Sequence, residues 1–210
     1  MIKQQEKMDL VLAELAKRYP DAACELLHQN PFELLVAVML SAQTSDQSVN
    51  RVTPSLFARY PTPDALAKAR PEEIEPYIHS IGLYRNKARN LQKMAQQIME
   101  CYQGKVPALR KDLESLPGVG RKTANVVLAV AFKVSALAVD THVERVSKRL
   151  GFLRQEATVL EVEKKLTKLI PRSHWAKAHH QLLFFGRYFC KAQRPLCEAC
   201  PFRSFCCYLH

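Results

Sequence analysis

With 210 residues, 48% of them hydrophobic and 24% charged, the chain has the composition of a soluble globular protein with room for one large domain or two small ones. No run of 18 apolar residues exists, so no membrane span is expected, and the N-terminal MIKQQEKMDLVL lacks the apolar stretch of a signal peptide, which places the chain in the cytosol or a nucleoid-type compartment. The net charge of +11 and a pI of about 9.4 favour a polyanion, most simply nucleic acid, over a merely basic surface.

In chain order nearly everything reads as helix. Met8, Val11, Leu12 and Leu15 form a first amphipathic stripe ending near Pro20. Asn30-Pro31-Phe32-Glu33 is a helix start: Asn30 caps, Pro31 suits the first position and Glu33 can close a capping box. The following FELLVAVMLSAQ is apolar nearly all round, which predicts a central buried helix. It gives way to an abrupt polar segment carrying Gln43, after which Asp46 can cap a helix that Pro54 divides. Pro61, Pro63, Pro71 and Pro76 should cut residues 61–80 into short helices. Leu83 follows Ile81-Gly82 and reads as an exposed turn leucine. A longer helix then shows Leu91, Met94, Ala95, Ile98 and Tyr102 on one face, stopped at Gly104.

Residues 113–142, LESLPGVGRKTANVVLAVAFKVSALAVDTH, read as helix, hairpin, helix and then an acid. Leu109, Leu113 and Leu116 recur at helical spacing before the hairpin, and Ala124, Val127, Leu128 and Ala131 after it. Pro117 stops the first helix. Gly118 and Gly120 permit positive φ and bare the backbone. The second helix then opens with unpaired N–H groups at a positive dipole end, a seat for phosphate beside Arg121. Lys122 lies in its first turn, where a free amine is a nucleophile able to form a Schiff base. Eighteen residues on, an apolar run delivers Asp140, then Thr141 and His142. On residue type alone, Lys122 is equally a solvated surface lysine. Asp140 is equally an N-cap, or the residue before a Thr141-x-x-Glu144 capping box. The run 134–139 reads as helix or loop, and helices near 142–150, 156–170 and 173–188 complete the chain.

Seven cysteines include Cys190, Cys197, Cys200 and Cys206 in the pattern C-x6-C-x2-C-x5-C. Without a secretion signal, such bunching points to metal rather than disulfides. Four thiolates could hold zinc or an iron–sulfur cluster; a single tight pair with loose flanks suits the larger cubane better. Cys207 is not expected to be a ligand, and Cys24 and Cys101 are expected to be buried or half-buried thiols. Trp175 is expected in the core. Lys191 and Arg194 project two cations from the first cluster loop, and the His179-His180 pair carries no readable role.

The strings LPGVGRKTA and VDTHVERV, with LSAQ-x-x-D, IGLY-x-x-KA and the cysteine spacing, resemble the endonuclease III family of helix–hairpin–helix DNA glycosylases in motif order from Pro31 to Cys206. The resemblance implies an all-α, two-lobed fold. A six-helix barrel would span 24–134, and residues 1–23 with 135–210 would form a cluster lobe, with the DNA groove between them. It implies that Lys122 attacks C1′ of a damaged nucleotide, that Asp140 assists, and that the four cysteines hold a 4Fe–4S cluster. Gln43 would fill the gap left by an extruded base and Leu83 would wedge against the opposite strand. Leu116, Gly118, Gly120, Arg121, His142, Lys191 and Arg194 complete the implied contacts to double-stranded DNA.

The implied activity is that of a monomeric, bifunctional glycosylase and abasic-site lyase for oxidised or ring-reduced pyrimidines. An adenine-specific mismatch glycosylase is the nearest alternative, although such enzymes usually lack a lysine at the hairpin position and carry a further C-terminal domain. A non-catalytic DNA-binding module is the alternative from another class.

Overall fold

The computed structural model describes residues 3–209, and among them every regular element is a helix. The chain forms two compact units: Glu25–Val134, and the stretch up to Cys24 joined with that from Ser135 onward.

The Glu25–Val134 unit is built on α2 (Pro31–Leu40), whose residues from Phe32 to Leu40 are all buried. Each fully buried Leu or Val there contributes about 1.5–3 kcal/mol. Around it pack α3 (Asp46–Arg59), α6 (Tyr84–Tyr102) and α8 (Arg121–Ala131), while α4 (Pro63–Ala67) and α5 (Pro71–Ile78) cover α6 and α7 (Arg110–Glu114) lies on α8. The Asn30 side chain caps α2 by accepting from the Glu33 N–H at 3.0 Å. Glu33 reaches back one residue further than a capping box requires, accepting from the Gln29 N–H at 2.7 Å.

Several local expectations are corrected here. Ser45, not Asp46, caps α3, and Asp46 is its first helical residue, favourably placed at the positive dipole end. Pro54 and Pro76 lie inside α3 and α5 without dividing them. An interior proline costs about 3 kcal/mol. The buried Val49, Val52 and Leu56 around Pro54, and Ile74 and Ile78 around Pro76, offset that by packing on both sides of the break. The leucine stripe before the hairpin is not one helical face: α7 covers only five residues, Leu109 is 67% exposed, and only Leu113 and Leu116 are buried. Cys101 is exposed on α6, not buried.

The other unit packs α1 (Gln4–Arg18) with α9 (Thr141–Arg149), α10 (Val159–Leu169) and α11 (Trp175–Phe184). Met8, Val11 and Leu15 of α1 enter one core with Val143, Val146, Val162, Leu166 and Leu182. Lys7, nearly buried, donates from Nζ to the Leu150 carbonyl at 3.1 Å, placing a positive charge at the end of α9 where the dipole favours it. Trp175 is half-buried at the edge of this core, its indole N–H donating to the Ile170 carbonyl at 2.9 Å.

The expected single helix over 173–188 is three pieces: a 3-10 turn at Arg172–His174, α11, and a π-helical turn at Phe185–Phe189. Gly186 lies in the last of these. A Cβ there would lie 2.8 Å from His142 Cβ, so α9 approaches bare backbone at this point. The wider turn closes with the Cys190 N–H donating to the Phe185 carbonyl at 2.7 Å.

Candidate active site and metal centre

In the Glu25–Val134 unit the hairpin turns at Gly118, whose φ of 77° disfavours any residue with a Cβ. Space is tight as well, since a Cβ would meet Asn90 Cβ at 3.0 Å and Met39 Cε at 3.1 Å. Gly120 differs from the expectation. Its φ of −94° suits any residue, and nothing lies within 4 Å of a Cβ built on it. The fold does not demand glycine there; what it leaves is bare backbone facing open space at the N-cap of α8. Gly120 has no side chain with which to cap α8, and the start of a helix is where backbone N–H groups lack intrahelical partners.

Lys122 is the second residue of α8, half-buried, and Arg121 beside it is exposed, 3.8 Å from Glu114. Leu116 is 2% exposed: its side chain belongs to the core, and its carbonyl closes the turn by accepting from the Val119 N–H at 3.0 Å. Gln43 and Leu83 are both exposed.

Asp140, in the other unit, caps α9. Its Oδ1 accepts from the His142 N–H at 3.0 Å and the Val143 N–H at 2.8 Å, so one oxygen holds the helix and neither bond engages the second. The N-cap reading therefore holds, and it serves to fix a carboxylate rather than to exclude a reactive one. No Thr141–Glu144 capping box is formed. The extended run ahead of Asp140 is buried from 136 to 139 and is pinned by His179, whose Nδ1 lies 2.9 Å from the Ala138 carbonyl oxygen. A carbonyl only accepts, so the proton sits on Nδ1.

His142 is oriented by Arg145. The guanidinium lies 3.2 Å from His142 Nδ1, and since arginine only donates, that nitrogen accepts and the imidazole proton rests on Nε2. Arg145 also donates to the Gly186 carbonyl at 2.7 Å and the Cys190 carbonyl at 3.1 Å. Burial pulls the Arg145 pKa down, while Cys190 pushes it back up. Arg149, one turn on, donates to the Lys191 carbonyl at 2.7 Å, the Ala192 carbonyl at 3.1 Å and Cys190 Sγ at 3.4 Å. Its own carbonyl accepts from the Cys207 N–H at 2.8 Å.

Cys190, Cys197, Cys200 and Cys206 all line one cavity, shared with Phe185, Phe189, Pro195, Leu196 and Tyr208; Cys207 does not line it. Cys207 instead rests against Gly151, where a Cβ would lie 2.4 Å from its sulfur. Burial pushes the Cys200 and Cys206 thiols up, and the neighbouring cysteines push them further. Lys191 and Arg194 stand exposed on the loop between the first two thiols.

The HhH-GPD superfamily of base excision DNA repair proteins matches residues 36–172, and the iron–sulfur binding domain of endonuclease III matches 190–206. The endonuclease III of Bacillus subtilis is 55% identical over 201 residues, covering 96% of this chain and 92% of that one. That of Synechocystis is 46% identical, covering 98% and 94%. The chain belongs to the endonuclease III family. A solved endonuclease III trapped as a covalent intermediate with DNA superposes with a TM-score of 0.95 at 57% identity, covering 98% of this chain and 96% of that one. As a member of that family the chain is a DNA glycosylase and lyase of base excision repair, and its cofactor is a 4Fe–4S cluster.

The thiols fit an endonuclease III cluster better than one zinc ion. All four face a common cavity, yet among the described residues no three metal-binding side chains gather closely enough to hold a single ion. A ligand set spread around an apolar hollow suits a cubane, which brings its own volume. Sequence reading missed Arg145, Arg149 and His179. The first two had a signal: spaced four apart after Asp140, they share one face of α9. His179 had none, because its partner lies 41 residues away.

Proposed function

We propose that this endonuclease III homologue removes oxidised or ring-reduced pyrimidines from duplex DNA and cuts the strand by β-elimination, with Lys122 as nucleophile and Asp140 as its supporting carboxylate. The duplex is held by its phosphates on the uncapped first turn of α8, where Gly118 shapes the bend and Gly120 lets backbone approach closely. Gln43 and Leu83 enter the stack as the lesion is extruded and recover part of the few kcal/mol that flipping costs.

The Lys122 amine then forms a bond to C1′ as the glycosidic bond to the base breaks; the base leaves with a proton, and the ring-opened sugar becomes a protonated Schiff base. The free oxygen of Asp140 supports the positive charge that develops. The iminium acidifies the 2′ proton, and its loss expels the 3′ phosphate, cutting 3′ to the site. Water releases Lys122. Cys190, Cys197, Cys200 and Cys206, which line one cavity, would hold the cluster, and its bonds to them would tie their loop together. Lys191 and Arg194 then contact phosphate, and His142 offers its Nε2 proton to the extruded nucleotide. The units correspond to a barrel domain and a cluster domain. The enzyme acts as a monomer, on the nucleoid in the cytoplasm, where its family's substrate is found.

The observation that supports the reading is Lys122, half-buried in the first turn of a helix whose N-cap, Gly120, is bare backbone in open space. Borohydride reduction tests it. Wild-type protein should give a covalent adduct with abasic duplex, and Lys122→Gln should give none while its affinity for the abasic site falls by no more than about 10- to 150-fold, because one hydrogen-bonded charge contributes about 1.5–3 kcal/mol. No adduct from wild type would remove the lyase assignment and leave a simple glycosylase or a binding module. Loss of all binding in the variant would make Lys122 structural.

A further inference from the structure

Gln43 and Leu83 are separated by 40 positions in the chain, yet both are exposed and both hold left-handed backbone, with φ of 55° and 58°. Residues with a Cβ keep that strained conformation only where the surroundings over-determine it. One residue joins the two turns. Lys87 of α6 is 8% exposed, and its Nζ donates to the Leu40 carbonyl at 2.9 Å and to Thr44 Oγ1 at 2.8 Å. Leu40 is the last residue of α2, and Thr44 directly follows Gln43, so the ammonium grips the turn on both sides of Gln43. The backbone of Lys87 lies in the first turn of α6, where its N–H donates to the Leu83 carbonyl at 3.0 Å, a bond any residue there would make. What the side chain adds is a tie from the turn that carries Leu83 to the turn that carries Gln43.

The charge itself is costly. Burial lowers the Lys87 pKa, with no neighbouring carboxylate acting against it. A lone buried ammonium is expensive, and a site that needed only filling would be served better by an apolar side chain.

We propose that Lys87 is a positioning residue for base extrusion: it locks the Gln43 and Leu83 turns into one preset arrangement before DNA arrives. The inference rests on the reading that these two side chains enter the duplex. Presetting them removes an ordering cost from the moment of insertion. Lys87 does not act on the sugar, so covalent chemistry on a site already outside a helix does not need it.

The test compares Lys87→Met with wild type on two substrates. Single-turnover excision from lesion-bearing duplex should fall about tenfold or more, the scale on which small misplacements act. Borohydride trapping on a single-stranded abasic oligonucleotide, which has no stack to fill, should stay within about twofold. Added to Gln43→Ala/Leu83→Ala, Lys87→Met should cost almost nothing further, because it works only through those two residues. Equal losses on both substrates, or a full further loss in the triple variant, would overturn the proposal. Wild-type excision by Gln43→Ala/Leu83→Ala would instead show that the insertion reading itself fails. Should Lys87→Met not fold, Thr44→Val removes one of the two acceptors with little risk: a duplex-only loss of about threefold is expected, and no loss overturns the proposal.

Discussion

On the proposed reading Asp140 carries two duties on one carboxylate, and substitution can separate them. Its Oδ1 caps α9, while the proposed chemistry needs the negative charge. Asparagine caps about as well as aspartate, whereas alanine loses about 1 kcal/mol of cap. Asp140→Asn should therefore melt within a degree or two of wild type, and Asp140→Ala about 2–4 °C lower, as expected for a chain of this size. Both should excise at least about a hundredfold more slowly, the scale of a lost transition-state partner. Calorimetry paired with single-turnover kinetics checks this. Asparagine excising at the wild-type rate would leave Asp140 as a cap only. The sequence offered N-cap and reactive acid as competing readings because spacing describes a residue's neighbours along the chain. It does not show that a side chain has two oxygens with different partners. The bonds from Arg145 to Gly186 and Cys190 were illegible for a related reason, since they join residues more than 40 apart.

At the scale of elements, the hairpin's two glycines look alike in sequence and differ in cause. Gly118 is required by the fold: φ is 77°, and a Cβ would press on Asn90 and Met39. Gly118→Ala should cost about 1–3 kcal/mol in strain and lower the melting temperature by several degrees. Gly120 has ordinary angles and open space, so Gly120→Ala should cost only about 1 kcal/mol, as a poorer cap. Its methyl group would stand where phosphate approaches bare backbone, so duplex affinity should drop about tenfold or more. Thermal melts and a binding titration on both variants check the pair; equal affinities for Gly120→Ala and wild type would take the hairpin out of the interface. The helices themselves were legible wherever a buried stripe ran long, as in α2 and α6. They were misjudged at Pro54 and Pro76, where tertiary burial outweighs a local penalty, and at α7, where of three leucines at helical spacing only Leu113 lies in the helix and Leu109 is exposed.

Across the whole molecule, the cysteine spacing was legible as a cluster, while the contacts that hold its loop in place were not. Arg149 binds the Lys191 and Ala192 carbonyls and Cys190 Sγ, so the first stretch of loop has protein anchors of its own. The segment after Cys197 contributes little to the core besides Phe202 and Cys206. Cys197→Ala should thus abolish the visible absorbance of the cluster and expose the residues after it to hydrogen exchange, while the α2 and α8 amides stay protected. Loss of protection in α2 would show that the cluster supports the entire chain.

Charge is the remaining whole-molecule property, and it decides what Lys191 and Arg194 do. The net +11 alone predicts that binding weakens with salt, but it does not say which cations release counterions. Each cation that neutralises a phosphate contributes about −0.9 to the slope of log K against log salt for duplex DNA. If Lys191 and Arg194 each meet one, Lys191→Ala/Arg194→Ala should flatten that slope by about 1.8 and weaken lesion-bearing and undamaged duplexes by the same factor. If both cations meet phosphate alone, preference among lesions should not move. A titration series across salt concentrations reads the slope directly. An unchanged slope would mean that both cations remain solvated on the bound complex, and that the cluster loop contributes shape to the DNA interface without contributing charge.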